Sequence, residues 1–154
     1  MYPIQLNLSD KNIVIIGAGR VAYRKLQQLL GEDIGSLVII SKKFLPQFFE
    51  IEHPKMKMIT KCYDKTDIQY ADIIIAATND QRVNQQIKRE AHQYQWVNQT
   101  SDKEESDFFN MCETSINDIK IHVRSNGKDC KKVKNINAII QTYLKEVYKE
   151  DMYV

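Results

Sequence analysis

The sequence predicts an α/β domain built on a doubly wound parallel sheet, followed by a small α+β segment. Three observations carry this. Short β-branched runs recur at Ile13–Ile16, Leu37–Ile40 and Ile73–Ala77 with no polar alternation, as strands buried on both faces require. A glycine-rich turn, Gly17-Ala18-Gly19, joins the first run to a stretch with helical apolar spacing. Beyond residue 105 the pattern changes to one alternating hairpin and one long amphipathic stretch. The expected division is therefore 1–105 for the sheet domain and 106–154 for the appended segment.

Taken in order, Ile4, Leu6 and Leu8 alternate with polar residues and predict a short strand or lead-in. Ser9-Asp10-Lys11-Asn12 reads as a turn. After the first strand, Val21, Ala22, Leu26, Leu29 and Leu30 form a helical stripe that Gly31 can end. Leu37–Ile40 is the second strand, and Phe44–Glu50 suits a short helix. Met56–Tyr63 is a third strand, with the polar stretch 64–67 after it. Ile73–Ala77 is a fourth. Asp80 or Asn79 can cap a helix from Gln81 to about Tyr94, and Trp96–Asn98 makes a fifth strand. The order fits a Rossmann-type fold up to about residue 100. Phe108–Ile116 and Ile119–Arg124 predict two strands around Asn117-Asp118. Ile136, Ile139, Ile140, Tyr143, Leu144 and Val147 then line one face of a helix over 134–149. A hairpin and one helix are too small to be stable alone. Their apolar stripe therefore needs the sheet domain, a second subunit, or both.

Composition narrows the function classes. The 154 residues carry 22 basic and 20 acidic side chains, a net charge of +2, which gives no whole-molecule pull toward nucleic acid. No apolar run approaches the roughly 18 residues that span a bilayer, and Met1-Tyr2-Pro3 opens no signal-peptide pattern. Cys62, Cys112 and Cys130 form no CxxC pair and no zinc spacing, so no metal site and a reduced, cytoplasmic setting are expected.

Gly17-Ala18-Gly19-Arg20-Val21-Ala22 is a G-x-G-x-x-A sequence between a buried strand and an amphipathic helix. The first glycine permits the sharp exit, and the second lets backbone approach a pyrophosphate. The small Ala22 lets helix pack on sheet. The helix N-terminus offers N–H groups to an anion. Gly17, Gly19, Arg20, Val21 and Ala22 are thus the expected cofactor contacts. The acidic residue that often follows the second strand to hold ribose hydroxyls is missing. Ser41-Lys42-Lys43 stands there instead. Ser41 can bond a ribose hydroxyl. The lysines can receive the extra phosphate of NADP or be a solvated pair.

These residues resemble the precorrin-2 dehydrogenase family, the N-terminal domain of sirohaem synthase. The resemblance is carried by Pro3-Ile4-Gln5-Leu6-Asn7-Leu8, Gly17–Ala22 followed by Arg24-Lys25, and Ala76-Ala77-Thr78-Asn79-Asp80 followed by Val83-Asn84. It continues in Asn98 and in Asp107-Phe108, covering residues 2 to 150 in order. It implies NAD-dependent oxidation of precorrin-2 to sirohydrochlorin, and a homodimer held by the C-terminal strands and helix. It departs from the family where N-V-V-D becomes Asn98-Gln99-Thr100-Ser101, with Asp102 next. It departs again where S-x-G-G-x-S-P becomes Ser125-Asn126-Gly127-Lys128-Asp129-Cys130. Bifunctional members continue into a further domain, and this sequence ends at Val154. A dehydrogenase without chelatase activity is therefore expected.

The nicotinamide ring should lie at the carboxyl ends of the strands, which assigns Thr78 and Asn98 to cofactor contact. Asp102 is the expected general base, with Ser101 at the family's Asp position. Precorrin-2 is rich in carboxylates, so Arg20, Arg124 and Lys128 are the expected substrate cations. The two rival readings are an NAD-sensing module without catalysis and a bifunctional dehydrogenase–ferrochelatase.

Overall fold

A computed structural model describes residues 2–125 and 129–150, apart from the side chains of Cys130, Lys149 and Glu150. Packing divides the chain into two compact units, Met1–Phe108 and Phe109–Val154.

The first unit is a five-stranded parallel sheet. Its strands are β1 (Asn12–Ile16), β2 (Ser36–Ser41), β3 (Met56–Thr60), β4 (Ile73–Ala76) and β5 (Trp96–Gln99). Their spatial order is β3-β2-β1-β4-β5, so the chain leaves β1 outward in one direction and later returns to its other side. Helix α1 (Arg20–Leu29) makes the first crossover and α2 (Gln81–Glu90) the last. Single-turn 3-10 helices occupy Pro46–Glu50 and Lys65–Ile68.

Unbroken apolar strands arise because both faces are covered. On β1, Ile13 and Ile15 join α1's Ala22 and Leu26, together with Phe48, in one core. Val14 and Ile16 point the other way and join Ile87 of α2, Ile68, Ile74 and Val97 in a second core. Register is fixed on both sides of β1, with Ile15 opposite Ile39 and also Ile75. A one-residue slip would exchange the two cores.

The edge at β5 is closed by the returning chain. Asp107 donates its N–H to Val97 O at 2.8 Å and accepts the Val97 N–H on Oδ2 at 2.8 Å. Its Oδ1 receives Lys88 Nζ at 2.6 Å. Ser106 Oγ donates to Gln99 O and accepts from Gln99 N. Such cover protects an edge strand from foreign pairing.

The second unit holds β6 (Cys112–Ile116), β7 (Ile119–Val123) and α3 (Cys130–Glu150). The strands pair antiparallel around a turn in which Asn117 takes φ 51°, a conformation that asparagine tolerates better than most residues. Asn137 of α3 donates Nδ2 to Glu113 O at 3.2 Å and anchors helix to hairpin.

Several boundaries differ from the sequence reading. The segment 4–8 is not a strand: Ile4 and Leu6 are exposed, and only Leu8 packs on the core. Strand β3 stops at Thr60, and the polar stretch after it is a capped 3-10 turn. There Asp64 accepts Thr66 N while Asp67 accepts Asp64 N. Helix α2 ends at Glu90 rather than Tyr94, because Ala91 turns to extended backbone and Gln95 Oε1 takes the His92 N–H. Strand β6 starts at Cys112 rather than Phe108, since Phe108 packs in the first unit's core. Helix α3 begins four residues earlier than expected, with Lys132 N bonded to Asp129 Oδ1.

Candidate dinucleotide site

The strand order reverses between β1 and β4, so the loops leaving their carboxyl ends flank a crevice. Gly17 leaves β1 at φ 112°, and a Cβ there would stand 2.3 Å from Ala77 O. Only glycine fits, because the two exits press backbone to backbone. Gly17 N donates to Ile40 O, and Ala77 N donates to Ile16 O, each at 2.8 Å. Gly19 is different. A Cβ there meets only Asn79 Oδ1, at 3.9 Å, so open space lies above it.

Gly19 is also the N-cap of α1, and no side chain caps it. The first turn carries no acidic residue, and Tyr23 N to Gly19 O, at 2.9 Å, is the first intrahelical bond. The amides of Arg20, Val21 and Ala22 therefore have no acceptor within the helix. Arg20 and Val21 are exposed and Ala22 is fully buried against the sheet. Free amides, open space over Gly19 and an absence of negative charge together fit a dinucleotide's pyrophosphate.

The opposite wall is held by a residue to which the sequence reading gave no role. Asn84 of α2 is fully buried. Its Oδ1 accepts from Thr78 N at 3.0 Å and from Thr78 Oγ1 at 2.7 Å. Its Nδ2 donates to Thr78 O at 3.0 Å and to Ser101 Oγ at 3.2 Å. Both donors and both lone pairs of the amide are thus engaged. One side chain ties the loop after β4 to the loop after β5. The signal available in the sequence was a polar residue on the sheet-facing side of α2, four residues after the capping Asp80, which accepts Arg82 N at 2.9 Å.

Thr78 accordingly serves the loop itself. Its hydroxyl proton lies between Asn84 Oδ1 and Asp80 O, at 2.7 and 2.9 Å. Asn79, the alternative cap for α2, does not cap it, since Asp80 does; it is the exposed side chain opposite Gly19. Asn98 is 2% exposed, and its Nδ2 donates to Phe108 O at 2.8 Å, while its Oδ1 has no partner among the described residues. Ser101 joins the Asn84 network. Asp102 is half-buried, and its Oδ1 accepts Glu104 N at 3.0 Å within its own turn. Ser41 Oγ donates to Lys43 O at 2.8 Å, so it can offer a ribose hydroxyl only an acceptor. Arg124 is exposed in the second unit, and Lys128 lies outside the described residues. The structure therefore unites the glycine turn, Thr78 and Ser101 at the ends of adjacent strands.

Lys25, one turn past Ala22 on α1, is buried, and its pKa is lowered to about 8. Burial is the larger cause and the neighbouring Arg24 charge the smaller. Among the described residues no group of His, Cys, Asp or Glu is arranged to hold a metal, and no helix is long and apolar enough to cross a membrane.

Comparison with known proteins agrees with the fold. SirC, a precorrin-2 dehydrogenase, has the same fold, with a TM-score of 0.82 over 97% of this chain and 78% of its own, at 21% identity. The precorrin-2 dehydrogenase of Bacillus subtilis (strain 168) is 32% identical over 105 residues, 68% of this chain and 64% of that protein. The siroheme synthase of Psychrobacter arcticus is 28% identical over 149 residues, 96% of this chain and 27% of that protein. The chain therefore spans less than two thirds of the length of these two relatives. Residues 4–111 match the NAD_binding_7 model, "Putative NAD(P)-binding". That match covers well over half of the sequence and includes every residue of the crevice, so the chain belongs to this NAD(P)-binding family.

Proposed function

We propose that this chain is an NAD-dependent dehydrogenase that oxidises precorrin-2 to sirohydrochlorin. The observation that carries the reading is the uncapped Gly19 turn facing the loops braced by Asn84 at the sheet's switch point. The names of the relatives supply the substrate. The oxidation removes a hydride and a proton from the macrocycle, and bound NAD would accept the hydride. The protein's task is then placement. Amides of Arg20 to Ala22 hold the pyrophosphate, and Gly19 leaves it room. Asn84 keeps Thr78 and Ser101 fixed, so that the ring and the substrate carbon meet in one geometry. Arg20 at the helix start, and Arg124 and Lys128, are the proposed partners of the substrate's carboxylates. Asp102 is the proposed base, and Thr78 and Asn98 the proposed ring contacts.

The test is NADH formation from freshly prepared precorrin-2 and NAD without oxygen. Turnover is expected in the parent and not in Gly19→Asp, which places a negative side chain where the pyrophosphate sits. NAD binding without turnover would remove the dehydrogenase. It would leave a dinucleotide-binding module, a reading that the engagement of Asp102 in its own turn favours.

We further propose a homodimer formed through α3 and a cytoplasmic location. Ile139 and Tyr143 are 68% and 64% exposed on α3, an unusual fate for large apolar side chains on one stripe. A monomer in sedimentation at micromolar concentration would remove the dimer.

A further inference from the structure

We propose that Asn79 is a cofactor-binding residue, whose carboxamide oxygen accepts a hydroxyl of the ribose that joins the pyrophosphate to the nicotinamide. The inference rests on the dinucleotide reading of the glycine turn and adds to it a contact from the opposite wall.

The place of Asn79 follows from how closely the two strand exits approach. A Cβ on Gly17 would stand 2.3 Å from Ala77 O and 2.9 Å from Thr78 N, so backbone meets backbone there. Two residues further along each chain stand Gly19 and Asn79. Around a Cβ placed on Gly19, Asn79 Oδ1 is the only atom of another described segment within 4 Å, at 3.9 Å. The carboxamide therefore borders, from the β4 side, the space that the glycine turn leaves for the pyrophosphate.

Asn79 is exposed, and its side chain bonds to none of the described residues. Its two neighbours are both committed. Thr78 is held by Asn84 through its N–H, hydroxyl and carbonyl. Thr78 Oγ1 also lies 2.9 Å from Asp80 O and accepts from Asp80 N at 3.2 Å. Asp80 Oδ1 accepts Arg82 N, and Asp80 O accepts Asn84 N at 3.1 Å. A carboxamide with no duty in the fold is thus carried on backbone clamped immediately before and after it. Such a group can meet a ligand without ordering the loop first, which spares affinity.

The choice of ribose follows from direction. A dinucleotide at this switch point lies across the strand ends, with adenosine beyond β2 and nicotinamide beyond β4 and β5. Between phosphates over Gly19 and a ring beyond β4, the group that passes the β4 exit is the second ribose. Its hydroxyls are donors, and a carboxamide oxygen is an acceptor with two lone pairs. A phosphate diester has no proton to give that oxygen.

Calorimetric titration of the full chain and of Asn79→Ala with NAD, ADP-ribose and ADP tests this. NAD and ADP-ribose carry the second ribose, and ADP lacks it while keeping both phosphates. Asn79→Ala should bind NAD and ADP-ribose about fivefold more weakly, as one neutral hydrogen bond predicts, and ADP as the parent does. Asn79→Asp keeps an acceptor oxygen and should recover most of the loss at physiological salt, where its repulsion of the phosphates is screened. Melting temperatures of both variants should match the parent, because the side chain holds nothing in the fold. If Asn79→Ala binds all three as the parent does, if ADP weakens as much as NAD, or if Asn79→Asp recovers nothing, the ribose contact is wrong while the dinucleotide site stands. If the parent binds none of the three, both readings fall.

Discussion

The two walls of the crevice are built on opposite principles. The wall after β1 uses no side chain: Gly17 and Gly19 supply a positive φ at one position and room at the other. The wall after β4 depends on a single side chain, Asn84, whose four bonds hold Thr78 and Ser101. An anion is met by amides, and amides are presented best where nothing protrudes. A planar ring must be met in one orientation, which calls for a stiff loop. The difference teaches that emptiness and rigidity have been assigned to separate strands.

Substitutions can break each wall separately. The largest effect is expected at Gly17. An alanine Cβ there would collide with Ala77 O, Ala77 C and Thr78 N, all backbone, on top of the unfavourable φ. Gly17→Ala should lower stability by about 3 kcal/mol or more, read from denaturant unfolding. An ordinary unfolding midpoint in that variant would show that the exits can part at little cost. Asn84→Leu comes next. It leaves the Thr78 amide and carbonyl without their partner in a buried place, at a cost of about 2 kcal/mol. NAD should also bind several-fold more weakly. Undiminished NAD affinity would mean that the β4 loop needs no brace.

The third effect is a change with pH. Lys25 follows the glycine turn on α1, and burial holds its pKa near 8, well below the ordinary lysine value. Between about pH 8 and the ordinary lysine pKa the unfolded chain binds the extra proton, so stability rises with pH across that window. In Lys25→Met this rise should be flattened, as measured by melting temperature at pH 7.5 to 10. An unchanged slope would assign the rise elsewhere. The smallest effect on stability belongs to Gly19→Ala, within about 1 kcal/mol, since its Cβ meets open space and only the N-cap preference is lost. Dinucleotide affinity should nonetheless fall in that variant. Unaltered affinity would place the pyrophosphate elsewhere.

The glycine wall was legible in the sequence and the braced wall was not, for a physical reason. A backbone requirement leaves its mark at the residue itself, so G-x-G-x-x-A after Ile13–Ile16 announces both the turn and its use. A side-chain brace acts across the fold. Asn84 and Ser101 are 17 positions apart, and nothing local to either shows that they meet. The sheet was readable because strands buried twice are continuous apolar runs. Of the two readings of residues 4–8, strand or lead-in, the structure has the lead-in: alternation at Ile4, Leu6 and Leu8 resembles a half-buried strand, but among the described residues no strand pairs with it. Asp64 and Asp67 carried a capping spacing that polar composition concealed. Asp107 was readable as part of a motif, but its grip on the Val97 amide and Lys88 depends on β5 being an edge.

The order β3-β2-β1-β4-β5 also bears on how the chain is made. Ile13–Ile16 finds its first partner at residues 37–40, but its second, Ile73–Ala76, emerges from the ribosome about 60 residues after β1 itself. At cellular translation speeds that interval lasts roughly 3 to 12 seconds. Until β4 arrives, the apolar residues Ile13–Ile16 have an open edge on the flank that will later form the crevice. The architecture that creates the binding site thus also sets the period in which the nascent chain most needs a chaperone.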